Sequence, residues 1–326
     1  MTEHSQNRAS LGILFILIGM CAISINDVLI KQLSGGYPLH QIVFTRSFIG
    51  LTITLMVVQY EGGLAILKTQ HPWLHAFRGL LVVMANMTFF VALAALPLAE
   101  VTALFFAAPL FITLLSIPLL GENVGPMRIG AVIVGFVGVI IMQRPWEGGD
   151  TGSASRIVSL LPVFAALTYA LNQIFTRKLG ATTKASALAA YIQFVFILVS
   201  IAFFLVAGDG RFAEGVEDPS LHFLLRAWSW PLGQDWVWFI LLGLNSGVVG
   251  YALSQAYRMA DAATVAPFEY IGLPLAVLWG WVFFMEFPVP VVWLGMALIM
   301  GSGLFVFLRE QQKARAIARA EVKGRY

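Results

Sequence analysis

Three ionisable residues, Asp27, Arg46 and Glu269, fall within long apolar stretches of this 326-residue sequence. An ionised side chain inside a bilayer costs about 2.5–3.5 kcal/mol on insertion scales, so each needs a partner or a task. Asp27 stands four residues before Lys31, which on a helix sets a carboxylate beside an ammonium one turn later. A carboxylate so placed takes up protons or binds a substrate cation; the structural alternative is an ion pair that satisfies Arg46 or Lys31 near the interface. Arg46 is suited to a substrate carboxylate. Glu269 follows Pro267 and Phe268 near the start of an apolar run. Proline there loosens the hydrogen-bond ladder and lets polar groups face a cavity. Glu269 is accordingly the leading candidate for a cationic group or a proton, against the alternative of a helix-start carboxylate favoured by the dipole.

Uncharged polar residues at mid-span bind substrate or staple helices with equal ease. Asn86, Asn172, Gln173, Gln193, Asn245, Gln255 and Tyr270 belong to this group. Phe89, Phe105, Phe106, Tyr169, Tyr251 and Trp279 supply an apolar cavity wall, or simply packing and lipid contact. Gly130, Gly135, Gly138, Gly295, Gly301 and Gly303 allow close helix approach, within the fold first and in a homodimer second. His71 and His75 have a spacing that a metal uses, but no third ligand stands near them in sequence, so no metal is expected. Nor does any motif indicate a cofactor.

These residues must be positioned by membrane helices. The chain is 59% hydrophobic and 11% charged, against roughly 45–50% and about 25% in soluble domains. A bilayer crossing needs about 20 apolar residues, so ten crossings fit the length with short connections. They are predicted near Leu11–Lys31, Leu39–Val58, His71–Ala95, Ala99–Leu120 and Met127–Met142, then Ile157–Phe175, Ala185–Ala207, Trp236–Tyr257, Ala262–Phe284 and Val289–Leu308. The first run has the length of a signal-peptide core but lacks a small-residue cleavage site, and reads as a retained helix. Residues 143–156, with Pro145, Gly148, Gly149, Asp150 and Gly152, form a polar linker between the units 11–142 and 157–308. The longest loop, Gly208–Asp235, carries Asp209, Glu214, Glu217 and Asp218 and then an aromatic stretch, Trp228–Trp236, expected as a short interfacial helix.

The formal net charge of +3 owes most to a basic tail, residues 309–326. After a hydrophobic span such a tail is a cytoplasmic anchor rather than a nucleic-acid site. With the N-terminus inside, Arg8, Lys68, Arg78, Arg128, Arg177, Lys178, Lys184 and Arg258 join the tail on the cytoplasmic side. Arg144, Arg156, Arg211 and Arg226 fall outside, and Lys31 and Arg46, at membrane edges, count weakly against this orientation. Both termini are therefore expected in the cytoplasm of a multi-pass cell-membrane protein, the inner membrane in a bacterium. One cysteine, Cys21, excludes an internal disulfide framework and a cysteine metal cage.

The two halves repeat. At an offset of 164 residues Val101 falls on Val265, Glu122 on Glu286 and Pro126 on Pro290; one further residue brings Gly130 onto Gly295 and Gly138 onto Gly303. Asn26, Asp27 and Lys31 align with Asn172, Gln173 and Arg177, and Arg46 meets Gln193. An odd number of crossings turns the second copy upside down, and the site of such inverted repeats lies near the midplane between the halves. The GENVGP ending, its partner VAPFEYIGLPLAVLWGWVFFMEFPVP and the opening NDVLIKQL resemble the EamA family of the drug/metabolite transporter superfamily over Leu11–Leu308. That resemblance implies ten helices as two inverted five-helix repeats, alternating access, and a cavity lined mainly by the first, third, fourth, sixth, eighth and ninth helices. It also implies a small organic substrate: an amino acid, an S-adenosylmethionine-like metabolite or a carboxylate. The FYNN and GALNK signatures of nucleotide-sugar members are missing, and no matched residue selects among the other substrates.

No GxxxxGK[ST] loop offers ATP hydrolysis, so transport is expected to run on a gradient, protons included, or by exchange. An intramembrane enzyme needs a nucleophile with its base or a motif such as HExxH, and neither occurs. A receptor or scaffold without transport leaves the repeated polar positions without a purpose.

Overall fold

The computed structural model describes residues 3–69, 72–121, 124–146, 153–179, 185–259 and 266–323. Expectations placed on His71, Glu122, Asp150, Lys184, Ala262 and Val265, and on the side chains of Arg8, Arg177, Lys178, Arg258 and the basic tail, lie outside them. Among the described residues there are helices and no strands: α1 (Glu3–Ser34), α2 (Leu39–Glu61), α3 (Pro72–Ala95), α4 (Leu98–Phe105), α5 (Ala108–Leu120), α6 (Pro126–Gln143), α7 (Ser153–Leu179), α8 (Ala185–Ala207), α9 (Pro219–Leu225) and α10 (Asp235–Met259). A 3-10 turn, Ala266–Ile271, then leads into α11 (Gly272–Phe284), followed by α12 (Pro290–Lys323). Among the described residues nine stretches are long and apolar enough to cross a membrane, and Phe268–Phe284 is a shorter apolar tenth. Large apolar side chains such as Ile133, Ile140, Leu205, Trp281 and Phe283 stand exposed, as lipid-facing surface requires.

Two spans differ from the expectation of continuous helices. The fourth breaks at Phe106–Ala107 into α4 and α5, and the ninth opens as the 3-10 turn before α11. Pro109 and Pro274 explain both, because a proline ring collides with the carbonyl four residues back, here that of Phe105 and of Tyr270. The breaks are repeat-related: at the offset of 164, Ala108 maps to Gly272 at the two helix starts. Gly121 maps to Met285, and both close their helices with left-handed backbone, φ 70° and 54°.

Helix packing follows the same exchange. α1 lies on α10 as α3 lies on α7; α2 packs on α10 as α8 packs on α3; α5 meets α7 as α11 meets α1. The pairs α2–α8 and α6–α12 map onto themselves. These contacts define a pseudo-twofold axis relating the two repeats. Along it Gly138 faces the carbonyl of Gly295, and Gly303 leaves room for the Tyr270 phenol, where a β-carbon would overlap its oxygen. Gly130 meets nothing nearby and Gly301 likewise, so the glycine run divides between the internal seam and open positions.

The aromatic stretch departs from its expected helix. The short helix of that loop is α9 instead, started by Asp218, whose carboxylate accepts from Ser220 N and Leu221 N at 2.9 and 3.0 Å, with Pro219 in its first turn. Pro231 and Gly233 keep the Trp228–Gln234 segment irregular. The final apolar span ends at Arg309, as expected within a residue, while its helix, α12, continues to Lys323.

Candidate functional site

Asp27 and Arg46, on α1 and α2, are both buried and face one another electrostatically. Asp27 accepts a hydrogen bond from the Asn26 side chain. The Arg46 guanidinium lies 5.4 Å from the Phe90 ring centre and 5.2 Å from that of Phe196, on α3 and α8, so two π faces share its charge. Lys31, by contrast, does not turn back to Asp27 as the four-residue spacing suggested. Its ammonium reaches Glu286 Oε1 at 2.7 Å and the carbonyl of Leu96 at 2.7 Å, because its place at the end of α1 brings it beside the end of α11.

A second polar group forms around Glu269, which is half-buried in the 3-10 turn. Its charge is felt at Tyr169 of α7 and at Tyr270. Tyr169 accepts a hydrogen bond from Gln173 at 2.7 Å, and Asn172 is buried on the same helix. Tyr270 stacks on Phe106 with ring centres 5.3 Å apart and planes 26° apart. Since Phe106 and Tyr270 are repeat partners, the two helix breaks meet ring to ring on the pseudo-twofold axis.

Aromatic rings join the two groups. From Phe90, under Arg46, the run passes to Phe89 at 5.5 Å, to Phe105 at 5.3 Å and to Tyr169 at 5.4 Å. Edge and tilted contacts of this kind suit the ring quadrupoles. Trp279 of α11 adds a donor from the other repeat, its indole N–H bonding Ser24 Oγ at 3.0 Å.

The remaining candidates sit apart. Asn86 donates to Val82 O of its own helix at 3.0 Å. Gln193 donates to Ser246 Oγ at 3.2 Å beside Gly50, where α2, α8 and α10 come together. Gln255 donates to Tyr251 at 3.1 Å on a face of α10 where Tyr251 is 50% exposed and edges Phe15. Asn245 donates to Ala22 O at 2.7 Å and ties α10 to α1. Phe90 and Phe196 were not singled out from sequence: among 25 phenylalanines neither has a distinguishing spacing. Only the buried arginine at mid-helix could have prompted a search for rings around it.

Comparison with known proteins agrees with this architecture. The EamA-like transporter family model matches residues 10–144. A riboflavin transporter of Rhizobium johnstonii is 31% identical over 311 residues, covering 95% of each chain. An S-adenosylmethionine uptake transporter of Rickettsia prowazekii is 26% identical over 301 residues, covering 92% of this chain and 94% of the relative. A solved crystal structure superposes with a TM-score of 0.59 at 19% identity, over 96% of this chain and 99% of the other, a likeness of fold.

Proposed function

This chain belongs to the EamA family of the drug/metabolite transporter superfamily and is a multi-pass membrane transporter of small metabolites, and on that premise we propose that it carries a flat heteroaromatic metabolite with a polar tail, of the flavin or adenosyl type. The observation that carries this reading is the aromatic run from Phe90 to Tyr169, with Arg46 and Asp27 at one end and Gln173 and Glu269 at the other. Rings stack on a conjugated bicycle or tricycle, and amides and carboxylates hold its polar edge and hydroxyls. The names of the two relatives agree with such a ligand.

In this reading residues 11–142 and 157–308 are the two repeats, joined by 143–156, and residues 309–326 form a cytoplasmic tail, with both termini inside. The repeats rock about the Phe106–Tyr270 contact to expose the site to each side in turn. Asp27, Arg46, Asn172, Gln173, Glu269 and Tyr270 face the substrate, while Gln193 joins two helices and Asn86, Tyr251 and Gln255 bond within their own. Glu269 or Asp27 exchanges a proton as the site changes sides, which couples the cycle to a proton gradient. Transport rather than catalysis is the whole activity.

Proteoliposomes loaded with buffer and offered labelled riboflavin or S-adenosylmethionine, with and without a pH gradient, test this. Saturable uptake of one of them, lost in Phe105→Ala and Arg46→Met but kept in Tyr251→Phe, is the expected result. Uptake that Phe105→Ala and Arg46→Met leave untouched would remove the site from this position. Transport insensitive to the gradient in Glu269→Gln and parent alike would remove the proton.

A further inference from the structure

The Lys31–Glu286 contact does more than neutralise two charges. Lys31 lies in the last turn of α1 of the first repeat, and Glu286 follows α11 of the second. Between them lies the α3–α4 turn, Leu96-Pro97-Leu98. Lys31 donates to both Glu286 oxygens, at 2.7 and 3.0 Å, and to Leu96 O at 2.7 Å. Glu286 in turn accepts the backbone N–H of Leu98 at 3.0 Å.

Leu96 follows the end of α3 and Leu98 opens α4, so the cation caps one carbonyl at a helix C-terminus while the carboxylate caps an orphan N–H at the next N-terminus, each with the favourable dipole sign. The Phe284 ring, 5.1 Å beneath the ammonium, completes the enclosure. Four segments from both repeats are therefore tied at one point on the face that carries the α1–α2 turn. Separating them would leave both charges and two helix ends without partners at once, so the contact behaves as an all-or-none unit. The site residues Asp27 and Trp279 lie below it on α1 and α11, one and two turns deeper.

We propose that Lys31 and Glu286, with the backbone of Leu96 and Leu98, form the latch that closes the transport path on this face, and that the path opens there only when this ion pair breaks. The proposal rests on the reading of the chain as an alternating-access transporter, but its test needs no substrate.

In a Cys21→Ser background, a cysteine in place of Ala92, fully buried one turn below Leu96 on α3, reports opening through its reaction with a membrane-impermeant maleimide. A cysteine in place of Ala256, fully buried near the other end of α10, reports general loosening. Lys31→Met and Glu286→Gln should each raise labelling at position 92 by on the order of tenfold, and the double variant no further, since both remove one unit. Lys31→Arg, which keeps charge and donors, should label near the parental rate. Arg211→Gln, which removes an exposed ion pair with Asp209 at 3.8 Å, should change nothing. Labelling at 92 unaffected by Lys31→Met and Glu286→Gln would overturn the latch. An equal rise at 92 and 256 would overturn it too, because the pair would then be a staple for the whole fold. If transport of the proposed substrates fails while selective labelling at 92 holds, the substrate assignment is at fault and the latch stands.

Discussion

Arg46 illustrates what a single residue demands of its neighbours. Buried between Phe90 and Phe196 and facing Asp27, it keeps its charge because rings and a carboxylate replace water. Asp27→Asn removes the opposite charge that acts on Arg46 and should lower the stability of the protein. Adding Arg46→Met to Asp27→Asn should recover part of that loss. Thermal unfolding in detergent reads both; equal melting of Asp27→Asn and parent would mean that the two groups do not interact. Tyr270 makes the second demand. Gly303→Ala places a methyl on its phenol oxygen and should cost about 1–3 kcal/mol as overpacking, while Gly303→Ala combined with Tyr270→Phe should cost less. Sequence disclosed Asp27, Arg46 and Glu269 as candidates, because charge in an apolar run is conspicuous. It did not disclose which partner each finds: the four-residue spacing pointed Lys31 at Asp27, whereas the tertiary arrangement gives it Glu286, 255 positions away.

At the level of elements, the spans were legible from hydrophobic length to within a few residues, since a bilayer permits few alternatives to an apolar helix. Of the interruptions, a loosened ladder beside Pro267 was expected at the start of the ninth span, whereas the break of the fourth was not. Whether a proline kinks or breaks a helix depends on what packs on the freed carbonyls. The loop between α8 and α10 was legible as polar but not in its conformation, which side chains of another element dictate. Gln41 on α2 donates to Ser229 O at 2.6 Å and accepts from Ser229 N at 3.2 Å. Tyr37 bonds Asp235 at 2.5 Å and accepts from Leu232 N at 3.1 Å, and Arg226 donates to Gly35 O at 2.9 Å. Phe223 anchors α9 in the core, 1% exposed. Gln41→Leu leaves both backbone groups of Ser229 without partners, at about 1–3 kcal/mol for each group that stays buried. Hydrogen exchange across residues 226–232 should accelerate while α2 itself keeps its protection; unchanged exchange would show that Gln41 does not hold the loop.

For the molecule as a whole, the duplication read from Glu122, Glu286, Pro126 and Pro290 is matched by helix pairs that map onto each other, which residue spacing alone does not specify. The α6–α12 seam is the simplest place to test it. Gly138→Ala sets a β-carbon 2.9 Å from Gly295 O and should lower the melting temperature. Gly130→Ala, with open space around it, should be neutral or gain about 0.5–1 kcal/mol from helix propensity. Reversal of that order would place the repeat interface elsewhere. One feature breaks the symmetry. The α8–α10 connection folds over the α1–α2 turn through Gln41, Tyr37 and Arg226, whereas its repeat counterpart between α2 and α3 is the short segment around the 3-10 turn Leu64–Leu67. Two perfectly related halves would rest equally in either orientation, and every hydrogen bond confined to one side weights that equilibrium. A ligand arriving at the covered side must wait for the rarer conformer, so its apparent dissociation constant there is the intrinsic one divided by that conformer's fraction. In the alternating cycle proposed above, one site would therefore present two affinities to the two compartments, a built-in rectification of binding that requires no difference in the residues touching the ligand.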